Sequence, residues 1–226
     1  MAIRAIAFDL DDTLMDTTGI LVPQAARRAF QILIDAGLNL TLDQCEQKRT
    51  EMIKKLSHKE VFEKLAAEFG EKATLEALVK ANSAFYEPEL PEHLPLLPGA
   101  LENLKYLSPK YSLYIVTAGF DKAQQEKVHA LGIQSYFKKV FVVNSLNKEK
   151  KRQSFETILQ MENCQPEELF CIGNSLSSEI TDALALGCVG CYFEFGEDRG
   201  HEEKLKSMKP HFHIKKHSEL ISTCRL

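Results

Sequence analysis

The sequence predicts an α/β protein in which a doubly wound parallel sheet is interrupted by a helical domain. Residues 3–9 form a short apolar strand pattern, residues 17–96 show only helical signals, and strand and helix patterns then alternate. Such alternation is typical of a parallel sheet with helices on both faces. We expect a sheet domain made of residues 1–16 and 97–226, with a helical domain, residues 17–96, inserted after the first strand.

The insert is expected to contain four helices followed by a linker. Apolar residues recur at helical spacing over residues 25–34, 41–56, 61–66 and 75–85. Four prolines between residues 88 and 98 then break the helical pattern and favour an extended connection. The insert leaves the sheet just after the first strand ends, so we expect it to lie over that edge as a cap.

The second part of the sheet domain shows the alternation that predicts its fold. After Gly99, each apolar strand pattern is separated from the next by an amphipathic helix pattern. Strands are expected at residues 111–117, 139–144, 168–173 and 189–195, helices at 100–107, 124–132, 154–161 and 179–187, and a weaker edge strand and closing helix at 211–214 and 218–224.

Composition narrows the class of protein. The chain has 226 residues and a net charge of -4, which gives no reason to expect nucleic-acid or anionic-membrane binding. No apolar run approaches the roughly 20 residues that span a bilayer, and the N-terminal apolar stretch runs straight into aspartates, unlike a signal peptide. We therefore expect a cytoplasmic protein with no obligate protein partner, and six cysteines that are reduced and mostly buried.

Polar side chains follow the strands at the edge where ligands bind in open parallel sheets. Asp9 and Asp11 end the first strand, and Thr117, Ala118 and Gly119 end the second. The sequence K-E-K-K-R, residues 148–152, follows the third strand, and G-N-S-L-S-S-E, residues 173–179, ends the fourth. Carboxylates, a hydroxyl and a lysine are therefore expected to converge on one edge.

These four segments resemble the motifs of the haloacid dehalogenase superfamily, in the same order. D-L-D-D-T resembles its D-x-D-x-T motif, I-V-T-A-G its second motif, Lys150 its lysine motif, and I-G-N-S-L-S-S-E-I its acidic fourth motif. The insert is similar to the family's helical C1 cap. The resemblance implies a Rossmann-type fold and a Mg²⁺-dependent phosphatase that acts on a small phosphorylated metabolite, which the sequence does not identify.

The resemblance also implies a role for each residue. Asp9 would be the nucleophile that forms an aspartyl-phosphate, and Asp11 the general acid and base. Thr117 and Lys150 would complete the catalytic set, with Lys148 and Lys151 as alternatives for the lysine. The phosphate group would contact Leu10, Asp11, Thr117, Ala118, Gly119 and Lys150.

The implied metal site departs from the family pattern. Mg²⁺ prefers oxygen ligands, and the resemblance assigns it to Asp9, the backbone carbonyl of Asp11, Asn174 and Glu179. The family usually has Asp where this chain has Asn174 and Glu179. Because Asn174 brings no charge, metal affinity is expected to be lower.

Three alternatives stay open beside the phosphatase. A catalytically weak or inactive member that binds a phosphorylated ligand is favoured only by Asn174. A haloacid dehalogenase would lack the acid/base residue that Asp11 supplies. A phosphomutase would use the same site chemistry while keeping water from the intermediate.

Overall fold

A computed structural model of the chain describes residues 2–87, 90–144, 149–197 and 201–226. In these ranges six parallel strands form a sheet in the order β3-β2-β1-β4-β5-β6. The strands are β1 Ala5–Phe8, β2 Ser112–Ala118, β3 Lys139–Val143, β4 Leu169–Gly173, β5 Val189–Phe193 and β6 Phe212–Ile214. The predicted doubly wound parallel sheet is confirmed, including the short edge strand.

Helices occupy the insert and the connections between strands. They are α1 Thr17–Ile20, α2 Val22–Asp35, α3 Leu42–Met52, α4 His58–Phe69, α5 Lys72–Tyr86, α6 Ala100–Leu107, α7 Asp121–Ala130, α8 Lys151–Glu162, α9 Thr181–Leu186, α10 His201–Ser207 and α11 Leu220–Cys224. Capping boxes fix the starts of α3 and α4 through Thr41 and Ser57. In the part of the chain that the structure describes, no helix has the length and apolar character to cross a membrane.

The chain divides into two compact units. One is Met1–Asp16, Leu90–Gly196 and Glu202–Leu226, and the other is Thr17–Glu89 and Glu197–His201. We call them the sheet unit and the helical unit. Residues 90–96, expected in the insert, belong to the sheet unit because the backbone amide of Leu94 donates to Ala130 O at 3.0 Å, a bond within that unit.

The sheet unit aligns the carboxyl ends of its three central strands. Phe8, the last residue of β1, lies beside Ile115 of β2 and Ile172 of β4. All four residues of β1 are buried, as expected for a central strand with layers on both faces. Phe155 and Ile158 of α8 pack in one core cluster with residues of these strands. The residues that directly follow β1, β2 and β4 therefore emerge at the same edge.

All six cysteines are free and buried, as the sequence predicts. Cys191, on β5, has its sulfur 3.7 Å from that of Cys224 on α11. Cys188, three residues earlier, belongs to the core cluster beside Cys171. Cys188 and Cys191 are spaced as C-x-x-C, but they make separate contacts in the core and do not form one metal or redox site.

The helical unit is built around an aromatic core. The Phe62 ring meets the Phe30 and Phe85 rings edge to face, with centroids 5.1 and 5.3 Å apart. These residues come from α4, α2 and α5, which together bury most of the unit's apolar side chains. Edge-to-face pairs of this kind stabilise a core beyond their buried area.

The helical unit also contains a buried ionic cluster. Glu197, which follows β5 in the chain, forms an ion pair with Arg49 of α3 and lies 3.3 Å from His58 Nε2 of α4. Burial tends to raise the pKa of Glu197, but hydrogen bonds and charge from His58 and Arg49 outweigh it and lower the pKa to about 2. Ionised Glu197 therefore stabilises the folded unit.

Glu197→Gln is expected to lower the free energy of unfolding by about 3 kcal/mol at pH 7, because Arg49 and His58 lose their buried carboxylate partner and Arg49 keeps only the partly exposed Glu46. The pKa of Glu197 is depressed, so its contribution is complete above about 4.5 and is lost as pH falls towards about 2. Urea unfolding at several pH values measures this difference, which should shrink in acid. Glu63→Gln, on an exposed pair with Lys59, is the control. Equal stability of Glu197→Gln and wild type at pH 7 would contradict the assignment.

Candidate active site

Asp9 lies at the carboxyl end of β1 and contacts a buried lysine. Its backbone amide donates to Ile172 O of β4 at 2.9 Å, which continues the strand pairing by one residue. Its Oδ1 atom is 2.7 Å from Lys151 Nζ, and Lys151 Nζ is also 2.9 Å from Glu179 Oε2. The three side chains are 7%, 4% and 2% exposed, respectively. One ammonium group thus bridges two buried carboxylates.

The lysine in the site is Lys151, which corrects the choice of Lys150. Lys150 is exposed at the N-cap position of α8. Lys151 is spaced four and seven residues before Phe155 and Ile158, the other buried residues of α8. Helical periodicity therefore places Lys151 on the buried face and Lys150 off it. Lys148 lies outside the described residues.

Burial and charge act against each other in this triad. Burial raises the pKa of Asp9, because the ionised carboxylate loses its hydration; Lys151 opposes the shift, and Glu179 and Asp11 add to it. Burial favours a lower pKa for Lys151, but Asp9 and Glu179 outweigh it and raise that pKa. When both carboxylates are ionised, the triad carries a net negative charge, which suits a site that receives a cation. Perturbed pKa values of this kind are frequent at active sites.

The Glu179 carboxylate accepts a hydrogen bond from Lys151, whereas the resemblance implies a metal ion as its partner. Its Oε2 atom accepts from Lys151, and its Oε1 atom accepts from the Ser175 amide at 2.5 Å. Gly173 makes room for this carboxylate, since a Cβ at that position would overlap it. Both oxygens are therefore engaged by protein donors. Glu179 therefore positions Lys151, and its ligation of a metal stays a prediction.

The remaining metal ligands expected from the sequence offer only oxygen atoms. Asp9 has a carboxylate, Asp11 a backbone carbonyl and Asn174 an amide oxygen. The Asn174 amide nitrogen donates to Phe195 O at 3.3 Å, which leaves its oxygen for another partner. In the described ranges no group of three or more His, Cys, Asp or Glu residues is arranged to hold a metal. This donor set fits a hard cation such as Mg²⁺, with a single carboxylate ligand.

The end of β2 presents a buried hydroxyl. Thr117 is 0% exposed, and its Oγ1 atom has no hydrogen-bond partner among the described residues. Buried hydroxyls are nearly always bonded, so this atom suits an oxygen-rich ligand. The Gly119 amide donates to Val143 O at 3.0 Å, because pairing with β3 extends beyond β2. The Gly119 amide therefore already has an acceptor in the sheet, and contact of the phosphate with Leu10, Thr117, Ala118 and Gly119 stays a prediction.

Asp11 is paired with two residues of α7 that the motif comparison did not predict. Lys127 Nζ is 2.6 Å from Asp11 Oδ1, and Gln124 Nε2 is 2.8 Å from Asp11 Oδ2. The sequence contains a pattern that places Gln124 and Lys127 on the buried face of α7. Ala123 and Val128 are the buried apolar residues of α7, and Gln124 and Lys127 fall on the same face by helical spacing. A lysine on a buried face needs an acidic partner.

Comparison with known proteins places this site in a family. A model of haloacid dehalogenase-like hydrolases matches residues 6–189. The chain is 31% identical over 192 residues to a glyceraldehyde 3-phosphate phosphatase of Methanothermobacter thermautotrophicus, covering 82% of this chain and 83% of the relative. It is 28% identical over 229 residues to the enzyme of that name from Methanopyrus kandleri, covering 99% and 97%.

A solved structure shares the fold. The crystal structure of the HAD-hydrolase YfnB from Bacillus subtilis, bound to magnesium, matches with a TM-score of 0.68 and 23% identity over 100% of both chains. The family model covers β1 to the start of β5, and so includes Asp9, Thr117, Lys151 and Glu179. Together, the matched region and the relative at 31% identity show that this chain belongs to the haloacid dehalogenase-like hydrolase family.

Proposed function

We propose that the protein hydrolyses phosphate monoesters of small metabolites through an aspartyl-phosphate on Asp9. The observation that carries the proposal is the buried pair of Asp9 and Lys151, with Nζ and Oδ1 2.7 Å apart at the carboxyl edge of the sheet. The proposal is supported by the relatives, which are named phosphatases.

In the first half of the reaction, an oxygen of Asp9 attacks phosphorus and the bond from phosphorus to the leaving oxygen breaks. The leaving oxygen takes a proton from Asp11 and departs as an alcohol. Lys151 stabilises the negative charge of the phosphoryl group as it approaches Asp9, and the hydroxyl of Thr117 donates to a phosphoryl oxygen. The product of this half is Asp9 carrying the phosphoryl group.

In the second half, water attacks the phosphorus of the aspartyl-phosphate. Asp11, now ionised, takes the proton of that water, and the bond between phosphorus and Asp9 breaks. Inorganic phosphate leaves, Asp9 is again a carboxylate and Asp11 is again protonated. Lys151 remains beside Asp9 throughout and offsets the charge of the regenerated carboxylate.

Asp9, the Asp11 carbonyl and the Asn174 amide oxygen would hold Mg²⁺. When bound, the ion neutralises the repulsion between a carboxylate and a phosphate and polarises the phosphoryl group. Because Asn174 is neutral, we expect the site to need more Mg²⁺ than one with a second carboxylate.

The substrate class is tested with a panel of phosphate monoesters. Glyceraldehyde 3-phosphate is the first choice, because two relatives carry that substrate in their names, and p-nitrophenyl phosphate is the generic chromogenic member. Purified protein should release inorganic phosphate in the presence of Mg²⁺ and lose this activity with excess chelator. Absence of turnover across the panel would favour the ligand-binding alternative.

Asn174→Asp is expected to lower the half-saturating Mg²⁺ concentration by about tenfold, equivalent to about 1.4 kcal/mol, because it adds a charged ligand. Titration of activity with Mg²⁺ measures the change. Asn174→Ala, which removes the amide oxygen, should raise the same concentration. An unchanged Mg²⁺ requirement in both variants would remove Asn174 from the metal site.

A further inference from the structure

The Asp11 carboxylate accepts hydrogen bonds on both of its oxygens from one helix. Lys127 Nζ is 2.6 Å from Oδ1, and Gln124 Nε2 is 2.8 Å from Oδ2. Both residues lie on α7, three positions apart and therefore on one face. The side chain of Lys127 is 9% exposed and that of Asp11 26%. The two donors thus hold Asp11 on the side that faces α7, and the Asp11 side chain is partly exposed.

Gln124 is itself fixed in orientation. Its Nε2 atom also donates to Ala118 O at 2.7 Å, so both amide hydrogens have acceptors. Gly119 allows this approach, because a Cβ there would lie 2.6 Å from Nε2. The Gln124 oxygen is buried without a hydrogen-bond partner among the described residues. Rotating the amide would place that oxygen against two other oxygens, so the nitrogen faces Asp11.

This arrangement fixes the Asp11 carboxylate as a hydrogen-bond acceptor. An ammonium group and an amide nitrogen only donate, so each Asp11 oxygen accepts one hydrogen bond from α7. The water that attacks the aspartyl-phosphate must itself donate to an acceptor, whereas a leaving oxygen must receive a proton. The bonding to α7 therefore matches the half of the reaction in which water attacks the aspartyl-phosphate.

We propose that Lys127 and Gln124 are positioning residues that hold the Asp11 carboxylate as the base for hydrolysis of the aspartyl-phosphate. This inference rests on the proposed function. Neither residue is required to touch the substrate; each acts through one oxygen of Asp11. Loss of either should slow breakdown of the phosphoenzyme more than its formation from a substrate with a good leaving group.

The test uses p-nitrophenyl phosphate, whose leaving group needs little protonation. In Lys127→Met we expect kcat to fall by about tenfold or more. KM should fall with it, so that kcat/KM, which reports formation of the phosphoenzyme, changes by less than about threefold. The fraction of protein carrying a phosphoryl group, measured by intact mass after acid quench, should rise. Lys127→Arg, which keeps a charged donor, should recover part of kcat.

Two further variants keep the test decisive. Gln124→Leu should show the same split with a smaller change in kcat, and it carries the test if Lys127→Met does not fold. Lys122→Met, on an exposed pair with Glu126 of the same helix, should match wild type. If kcat and kcat/KM fall together, or the phosphoenzyme fraction stays at the wild-type level, the inference is overturned. Failure of wild type to turn over, or to phosphorylate Asp9, would instead overturn the proposed function.

Discussion

Asp9→Asn is expected to reduce phosphate release by roughly a thousandfold or more, as loss of a nucleophile does in other enzymes. The amide keeps the shape of the carboxylate but does not attack phosphorus. Release of inorganic phosphate from p-nitrophenyl phosphate measures the loss. Asp121→Asn, at the exposed start of α7, is the matched control and should keep wild-type activity. An Asp9→Asn protein with substantial turnover would show that another group attacks.

Lys151→Met is expected to lower kcat/KM at least a hundredfold, because the reaction at Asp9 loses the cation that lies 2.7 Å from its carboxylate. It should also lower the free energy of unfolding by about 3 to 5 kcal/mol, since Asp9 and Glu179 stay buried without their counter-ion. Steady-state kinetics and urea unfolding measure the two effects.

Lys150→Met is the matched control for this prediction. Lys150 is the neighbouring lysine and is exposed, so activity and stability should both stay near wild type. Lys151→Arg keeps the charge and carries the kinetic test if Lys151→Met unfolds. Equal losses in Lys150→Met and Lys151→Met would contradict the placement of Lys151 in the site.

Local periodicity was enough to predict most of the sheet unit. Alternation of strand and helix patterns gave five of the elements that position the site: β1, β2, β4, α7 and α8. The order of strands and the helix at His201–Ser207 did not follow from it. That helix is short and none of its residues is buried. It therefore lacks the apolar stripe from which a helix is predicted.

Partners of buried charges were harder to predict than the charges themselves. Asp9 and Asp11 stood out in the sequence, but Lys127 lies more than a hundred residues from Asp11, and no local pattern joins them. The spacing to Phe155 and Ile158 could have distinguished Lys151 from Lys150, because these two apolar residues mark the buried face of α8. The position of the lysine motif alone predicted Lys150, one residue before the lysine that contacts Asp9.

The central claim is that the phosphoryl group is carried by Asp9. Borohydride reduces an acyl phosphate to an alcohol, so treatment of the protein during turnover of p-nitrophenyl phosphate, followed by peptide mass mapping, identifies the modified residue. We expect homoserine at position 9 only when substrate is present, and none in Asp9→Asn. Turnover without modification of Asp9, or modification of another carboxylate, would contradict the account.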